Sequence, residues 1–128
     1  MIFGIFNSAR NGAKKDILQM VELNRSAPKE HKIMAGMTLN QISSIFSAKF
    51  GGLDGFLRCP TAEQYTYIDA LSNMERDISM LDPPEHRVGV FAVVAFRMWL
   101  CMKIENDAEL VGLIEPVLND ISKAADGF

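Results

Sequence analysis

The two histidines are the first residues with chemical potential, because imidazole is the commonest metal ligand and general base in proteins. His31 has no carboxylate, cysteine or histidine three or four residues away, and two prolines separate His86 from Asp82, four residues before it. Di-iron bundles need Glu-x-x-His pairs and zinc sites need several ligands at short spacing. The sequence therefore predicts no metal site and no cofactor.

Nucleophilic side chains are present, but no base is placed to activate them. Ser43, Ser44 and Ser47 share one predicted helix without a Gly-x-Ser-x-Gly turn. Cys59 lies in a predicted loop and Cys101 in an apolar segment, outside any Cys-x-x-Cys pattern and with no histidine at a suggestive position. We therefore predict two reduced thiols, no catalytic residues and no enzymatic activity.

Arg97 is the most unusual single residue, because it is the one charge in the fifteen residues from Val88 to Met102. A buried guanidinium needs a partner, since an unpaired buried charge is very costly. Candidate partners are Glu75, Glu105 and Glu109. We favour a structural ion pair or an arginine whose head reaches the surface. The alternative is an anion-binding residue in a ligand pocket that Arg97 and Trp99 border.

A stripe on the predicted helix from Ala62 to Leu81 is a candidate protein-binding surface. Its members recur at helical spacing, away from the apolar face of that helix: Tyr65, Asp69, Ser72, Arg76 and Met80. Tyrosine, methionine and arginine are enriched at protein interfaces. The alternative is an ordinary solvent-facing surface with two stray apolar residues.

Helix signals in the C-terminal half predict the elements around these residues. A capping box, Thr61 to Gln64, opens the helix over 62–81, and two prolines end it. Its predicted inward face is Tyr67, Ile68, Ala70, Leu71, Met74, Ile78 and Leu81. Asn106 or Asp107 caps a last helix that continues to about Ala125, with Pro116 on its wet face.

The N-terminal half is predicted to hold three shorter helices and a flexible connection. A turn at Asn11-Gly12 precedes a helix over 13–25, and Pro28 opens a short helix that Gly36 ends. A second capping box at Thr38 opens a helix that the glycine-rich segment 51–55 follows. Its predicted inward face is Leu39, Ile42, Ile45, Phe46 and Phe50. Five methionines are expected on or beside apolar faces: Met20, Met37, Met74, Met98 and Met102.

The apolar run over 88–102 organises the predicted fold, because a segment apolar on all sides must be surrounded. It is shorter than the ~20 apolar residues that a membrane span needs. Val88 to Phe96 would also suit a buried strand, but no second convincing strand exists to pair with it. We predict an all-α bundle of five or six helices around a central helix at about 85–105, in a single domain over 1–128.

Composition and charge limit the classes of molecule that this protein is expected to bind. The chain has 128 residues, 48% hydrophobic and 23% charged, and a net charge of −3. Residues 61–128 carry five Lys and Arg against twelve Asp and Glu, which argues against nucleic acid as a partner. The segment Met1–Phe6 lacks the basic region of a secretory signal, so we expect a cytoplasmic protein.

These observations favour a non-enzymatic intracellular protein-interaction module that acts by steric binding. An adaptor, a small helical chaperone and an inhibitor of the immunity or antitoxin kind all fit this description. The alternative is a helical small-molecule-binding protein with an anionic-ligand pocket near Arg97. A homodimer is compatible with both hypotheses, because a second chain could cover the small-residue face at 40–48 and the segment Met1–Phe6.

Overall fold

The chain folds into a bundle of α-helices, which a computed structural model describes over residues 2–82 and 84–126. Side chains are described for these residues except 2–9, 85 and 86, so those of the segment Met1–Phe6 lie outside the description. The helices are α1 (Ile2–Ser26), α2 (Lys29–Phe50), α3 (Leu53–Leu57), α4 (Thr61–Ser79), α5 (Val90–Ile104) and α6 (Ala108–Asp126). The described residues contain no strand, and the predicted all-α class is confirmed.

Helix α5 lies at the centre of the bundle and packs against α2, α4 and α6. Its buried side chains are Ala92, Val93, Ala95, Phe96, Met98, Leu100 and Met102. The predicted central helix is confirmed, and the strand alternative for 88–96 is wrong. The α-helix begins at Val90 rather than near residue 85, because a 3-10 helix, Pro84–Gly89, precedes it. Within the described segments, no helix combines the length and apolarity needed to cross a bilayer.

Helix α2 runs unbroken through Gly36 and Thr38, so the predicted helix end at Gly36 and new start at Thr38 are wrong. Gly36 is buried against α6, where a Cβ atom would collide with the backbone carbonyl of Ile121. The glycine is therefore a packing position rather than a helix end. Close approach of α6 stabilises the helical conformation at a residue whose intrinsic preference opposes it.

Tertiary contacts also override the predicted turn at Asn11-Gly12. Asn11-Gly12 lies inside α1 rather than in a turn. Arg10 and Lys14, one turn apart on either side of this dipeptide, both form ion pairs with Glu109 of α6. These contacts favour a continuous helix over the local turn preference of the dipeptide.

The sequence predicts two helix caps in the C-terminal half, and the structure contains one of them. The Asp107 carboxylate accepts a hydrogen bond from the backbone N–H of Leu110 at 3.2 Å, which confirms it as the cap of α6. Thr61 instead becomes the first residue of α4, which begins after Pro60 without a side-chain cap, so the capping box is wrong there. Pro60 fixes the extended conformation from which α4 begins, and its carbonyl accepts hydrogen bonds from the N–H groups of Glu63 and Gln64.

The segment predicted as a flexible connection contains helix α3. Gly51 ends α2 in the left-handed conformation, with φ of 75°, and its N–H bonds to the carbonyl of Ser47. Phe56 of α3 then packs on Phe46 of α2, with ring centroids 5.3 Å apart. Burial of Phe56 anchors this short helix to the bundle, which the glycine-rich composition did not indicate.

Several residues predicted to point inward are exposed. Ile45 keeps 66% of its surface accessible, Met37 56%, Leu81 44% and Met74 40%. Tyr67 and Ile78 are only partly buried, whereas Ile68 and Leu71 lie in the core as predicted. Periodicity shows which residues share a helix face, but coverage of that face depends on a neighbouring element. Met37, Ile45 and Met74 lie on faces of α2 and α4 that no helix in the described part of the chain covers, and Leu81 follows the end of α4 at Ser79.

Candidate functional site

A groove between α2 and α4 gathers the exposed apolar side chains. It encloses about 330 Å³ and reaches the end of the 3-10 helix at Gly89. We call it the α2–α4 groove; its lining residues are Met34, Thr38, Gln41, Ile42, Ile45, Met74, Ile78, Leu81 and Gly89. Ile42 is only 6% exposed and forms part of the floor, whereas Ile45 stands at the rim.

A shallower depression of about 640 Å³ continues the α2–α4 groove across the outer side of α2. It shares Met34, Thr38 and Gln41 with the groove, so the two form one surface. Its other lining residues are Met37, Asn40, Ser44 and Ala125. None of the described residues that line the groove or the depression carries a charge.

The uncharged character of this surface originates in α2. The sixteen residues from Ile33 to Ala48 include no Asp, Glu, Lys, Arg or His. A surface helix ordinarily carries charged residues on the side opposite the core. Ile45 and Ser47 are exposed beside five further exposed residues of this run, which repeat at intervals of three and four: Met34, Met37, Gln41, Ser44 and Ala48. This spacing is typical of a second packing face.

The charge pattern of α2 in the sequence indicates this surface, although no motif does. The small-residue face at 40–48 includes part of this surface, but Met37 and Met74 were expected on or beside apolar faces of the core, and Met34 was not singled out. The uncharged run covers about four helical turns, so it includes both the buried face of α2 and the opposite, exposed face. The exposed face is therefore uncharged as well. That combination, rather than any motif, indicates the surface.

The predicted stripe on α4 is exposed along its length, with Tyr65 at 48% and Met80 at 72% accessible. It does not line the α2–α4 groove. Arg76 lies about 200° around the helix from Met74, at 100° per residue, so the stripe and the groove occupy opposite sides of α4. Within the stripe, Arg76 pairs at 3.7 Å with its chain neighbour Asp77.

Arg97 pairs with Glu75 of α4, its Nη2 lying 3.2 Å from Oε2. This confirms the first candidate partner named from the sequence. The side chains of Arg97 and Glu75 keep 27% and 32% of their surface accessible. The Nε atom of Arg97 is buried and has no hydrogen-bond partner in the described part of the chain. The guanidinium is thus only partly satisfied at the α4–α5 contact.

Trp99 faces a different neighbour from Arg97. Its indole N–H donates to Oε2 of Glu115 on α6 at 3.0 Å, and Lys103 lies 3.7 Å from the same oxygen. Trp99 and Glu115 line a pocket of about 340 Å³ to which Arg97 does not contribute. The charged group among its described lining residues is therefore a carboxylate, which would repel an anionic ligand.

Neither thiol is poised for nucleophilic chemistry. Both cysteines are free. Desolvation raises the pKa of the Cys59 thiol, whose Sγ lies 3.4 Å from the carbonyl oxygen of Gly55, and burial raises the pKa of the Cys101 thiol. A raised pKa lowers the fraction of reactive thiolate at neutral pH. Both sulfurs therefore remain mainly protonated.

Metal-ligand geometry is also lacking in the part of the chain that the structure describes, where no three His, Cys, Asp or Glu side chains converge. His31 is exposed on α2, and the side chain of His86 lies outside the description. The α2–α4 groove therefore remains the candidate site, defined by apolar contact rather than by reactive groups. No protein-family model, curated protein or solved structure matches this chain.

Proposed function

We propose that this protein is a non-enzymatic protein-interaction module that docks an amphipathic helix of a partner protein in the α2–α4 groove. The observation that carries the proposal is the exposure, on one uncharged surface, of side chains that helical periodicity assigns to a core. Binding there would act sterically, as in an adaptor, a small helical chaperone or an inhibitor of the immunity kind. No nucleic acid is part of the proposal.

The absence of charge along the described lining defines the chemistry of the partner. A charged partner side chain would lose its water in the groove without gaining a compensating ion pair, at a cost of several kcal/mol. An apolar side chain gains about 25 cal/mol for each Å² removed from water. Met34, Met37 and Met74 supply flexible thioether side chains that adapt to differently shaped apolar residues.

The shape of the groove favours a helical occupant. Met34 and Ile45, eleven residues apart on α2, both line it, which corresponds to a length of about 16 Å at 1.5 Å per residue. A helix of three turns has this length and presents apolar residues at i, i+3, i+4 and i+7. The walls are helices, so the occupant would complete a helix-on-helix packing layer.

The cytoplasm is the proposed location. Cys59 and Cys101 are both free thiols. Proteins keep their cysteines reduced in the cytosol, whereas exported proteins commonly form disulfides.

Site-specific photocrosslinking in the native host tests the proposal. A photoreactive phenylalanine replaces Gln41, an exposed groove residue, and in a matched variant it replaces Ser72 of the α4 stripe. Crosslinked partners are identified by mass spectrometry, together with the partner residues that carry the crosslink. We expect one partner to crosslink from position 41, through the apolar face of a helix, and not from position 72.

Three results would contradict this assignment. Crosslinking of position 41 to a second copy of this chain would make the groove a homodimer interface. Partner capture from position 72 alone would transfer the function to the stripe formed by Tyr65, Asp69, Ser72, Arg76 and Met80. Crosslinks to an extended or charged partner segment would refute the helical occupant.

Two variants make the same distinction without a crosslinker. Ile45→Asp places a charge at the groove rim and should reduce partner affinity by at least about tenfold, because the buried carboxylate has no cation to pair with. The double change Asp69→Lys and Arg76→Glu reverses both charges of the stripe and should leave that affinity unchanged. The opposite pattern would refute the groove.

A further inference from the structure

A second pocket lies where α1 turns into α2, on the other side of the 3-10 helix from the groove. Gly89 lines the α2–α4 groove, whereas Arg87 and Val88 line this second pocket. It encloses about 410 Å³, within the range of small-molecule sites. We call it the turn pocket, lined by Leu23, Asn24, Ser26, Ala27, Pro28, His31, Lys32, Ala35, Arg87, Val88, Phe91 and Ile121.

The floor of the turn pocket is apolar and belongs to the core of the bundle. Ala35 and Ile121 are 3% and 1% exposed, and Phe91 packs against the same core. Leu23 stands at the mouth with 54% of its surface accessible. A hydrocarbon chain laid over this floor would cover the apolar surface that Leu23 and the partly buried Phe91 still expose to water.

The rim of the turn pocket is basic. Lys32 and Arg87 come from different elements, α2 and the 3-10 helix, and His31 lies beside them. None of the described lining residues is acidic. The basic rim and apolar floor together match an amphiphile with one anionic end.

Neighbouring groups hold the two cations in place without using all their donors. The Nζ of Lys32 lies 3.1 Å from Oδ2 of Asp120. Arg87 donates from Nε to the carbonyl of Leu81 at 2.8 Å and from Nη2 to Asp82 at 3.1 Å. An ammonium carries three N–H donors and a guanidinium five, so each can also donate to a bound carboxylate. Both cations therefore keep N–H donors that these bonds do not use.

We propose that the turn pocket binds a free fatty carboxylate, with its chain on the apolar floor and its carboxylate on Lys32 and Arg87. This inference uses none of the residues of the α2–α4 groove and stands independently of the proposed docking function. The carboxylate supplies the two acceptor oxygens that a pair of cationic donors recognises.

Calorimetric titration of the full chain with decanoate, below its micelle-forming concentration, tests the proposal. Decyltrimethylammonium is the matched probe, because it has the same chain and the opposite charge. We expect decanoate to bind at least about tenfold more tightly, the effect of one hydrogen bond to a charged group. Leu23→Asp and Arg87→Gln should each weaken decanoate binding by about the same factor.

The matched control is Leu18→Asp, because Leu18 is a half-exposed leucine of α1 that does not line the turn pocket. It should leave decanoate binding unchanged. Absence of decanoate binding, or equal affinity for the two probes, would overturn the proposal. Loss of binding in Ile45→Asp but not in Leu23→Asp would place the amphiphile in the α2–α4 groove and would equally refute it.

Discussion

Gly36 of α2 touches the backbone of Ile121 on α6 so closely that no Cβ atom fits between them. The two helices therefore meet through main chain rather than through interlocking side chains at this point. Asn24 and Lys32 lie on either side of the α1–α2 turn, and both bond to Asp120, the residue before Ile121. Close packing thus holds α2 against α6, and Asp120 joins α6 to both α1 and α2 through polar bonds.

Gly36→Ala should lower the free energy of unfolding by about 1–3 kcal/mol or more, because the added methyl group pushes α2 away from α6. Gly112→Ala is the matched control, since a Cβ there meets no atom within 4 Å. That control should raise stability by about 0.5–1 kcal/mol through helix propensity. Urea denaturation measures both changes, and a stabilising Gly36→Ala would refute the close contact.

Acid should destabilise the fold through the carboxylates that face α1. Hydrogen bonds from Arg10 and from the backbone hold the pKa of Asp107 below its usual value, and Lys14 and Arg10 lower the pKa of Glu109. Because the folded pKa is the lower one, the stabilisation is complete above the unfolded pKa of about 4. It is lost as the pH falls through the folded values.

Asp107→Asn isolates this effect, since asparagine keeps the helix-capping acceptor but loses the charge. The variant should show a shallower loss of stability between about pH 5 and pH 3 than the unsubstituted chain. Arg10→Gln should flatten the profile in the same way. Urea midpoints measured across this pH range provide the test, and profiles parallel to that of the unsubstituted chain would contradict it.

The Arg97–Glu75 pair is expected to contribute little to stability. Its members are about one-quarter to one-third exposed, and the Nε of Arg97 is buried without a partner in the described residues. Arg97→Met should keep the free energy of unfolding within about 1 kcal/mol, or increase it, because it removes an incompletely satisfied cation and leaves Glu75, whose side chain is 32% accessible, in contact with water. Glu75→Gln should cost about 1 kcal/mol more than Arg97→Met, since it leaves the arginine unpaired.

The same Arg97→Met variant bears on the ligand hypothesis raised by the sequence. A small molecule that copurifies with the unsubstituted chain and is lost from a stably folded Arg97→Met variant would revive an anion site at Arg97. Native mass spectrometry of both proteins makes this comparison. We expect no such difference, because Glu75 already engages the guanidinium.

Ile45 and Ile42 lie three residues apart and should differ sharply in tolerance to charge. Ile45→Asp should change the free energy of unfolding by about 0.5 kcal/mol or less, since that side chain is 66% exposed. Ile42→Asp should cost about 3–5 kcal/mol or prevent folding, because it buries an unpaired carboxylate. A large cost for Ile45→Asp that grows with protein concentration would indicate a second copy over the groove.

Long, strongly apolar patterns predicted their elements well. The run over 88–102 appears as the central helix α5, and the periodicity after Asp107 appears as α6. Many residues in each of these patterns independently favour the same buried helix, so no single residue decides the prediction. The candidate partner Glu75 for Arg97 followed from the same reasoning, since an isolated buried charge has few acceptable neighbours.

Helix boundaries inferred from one or two residues were predicted less well. Gly36, Thr38 and Asn11-Gly12 each indicated a helix boundary, yet each lies inside a helix. Such signals reflect preferences of about 1 kcal/mol, which packing against α6 or an ion pair to it can outweigh. Their outcome depends on residues some eighty to one hundred positions away in the chain.

The sequence by itself determined that the chain forms a helical bundle and which residues share each helix face, because these depend on local periodicity. The tertiary structure alone decided which faces are covered. Ile42 and Ile45 both belong to the apolar pattern of α2, but only Ile42 meets the core. The uncharged groove exists because the packing of α2 against α5 and α6 leaves its α4 side open, a relation between elements that no pattern within one of them contains.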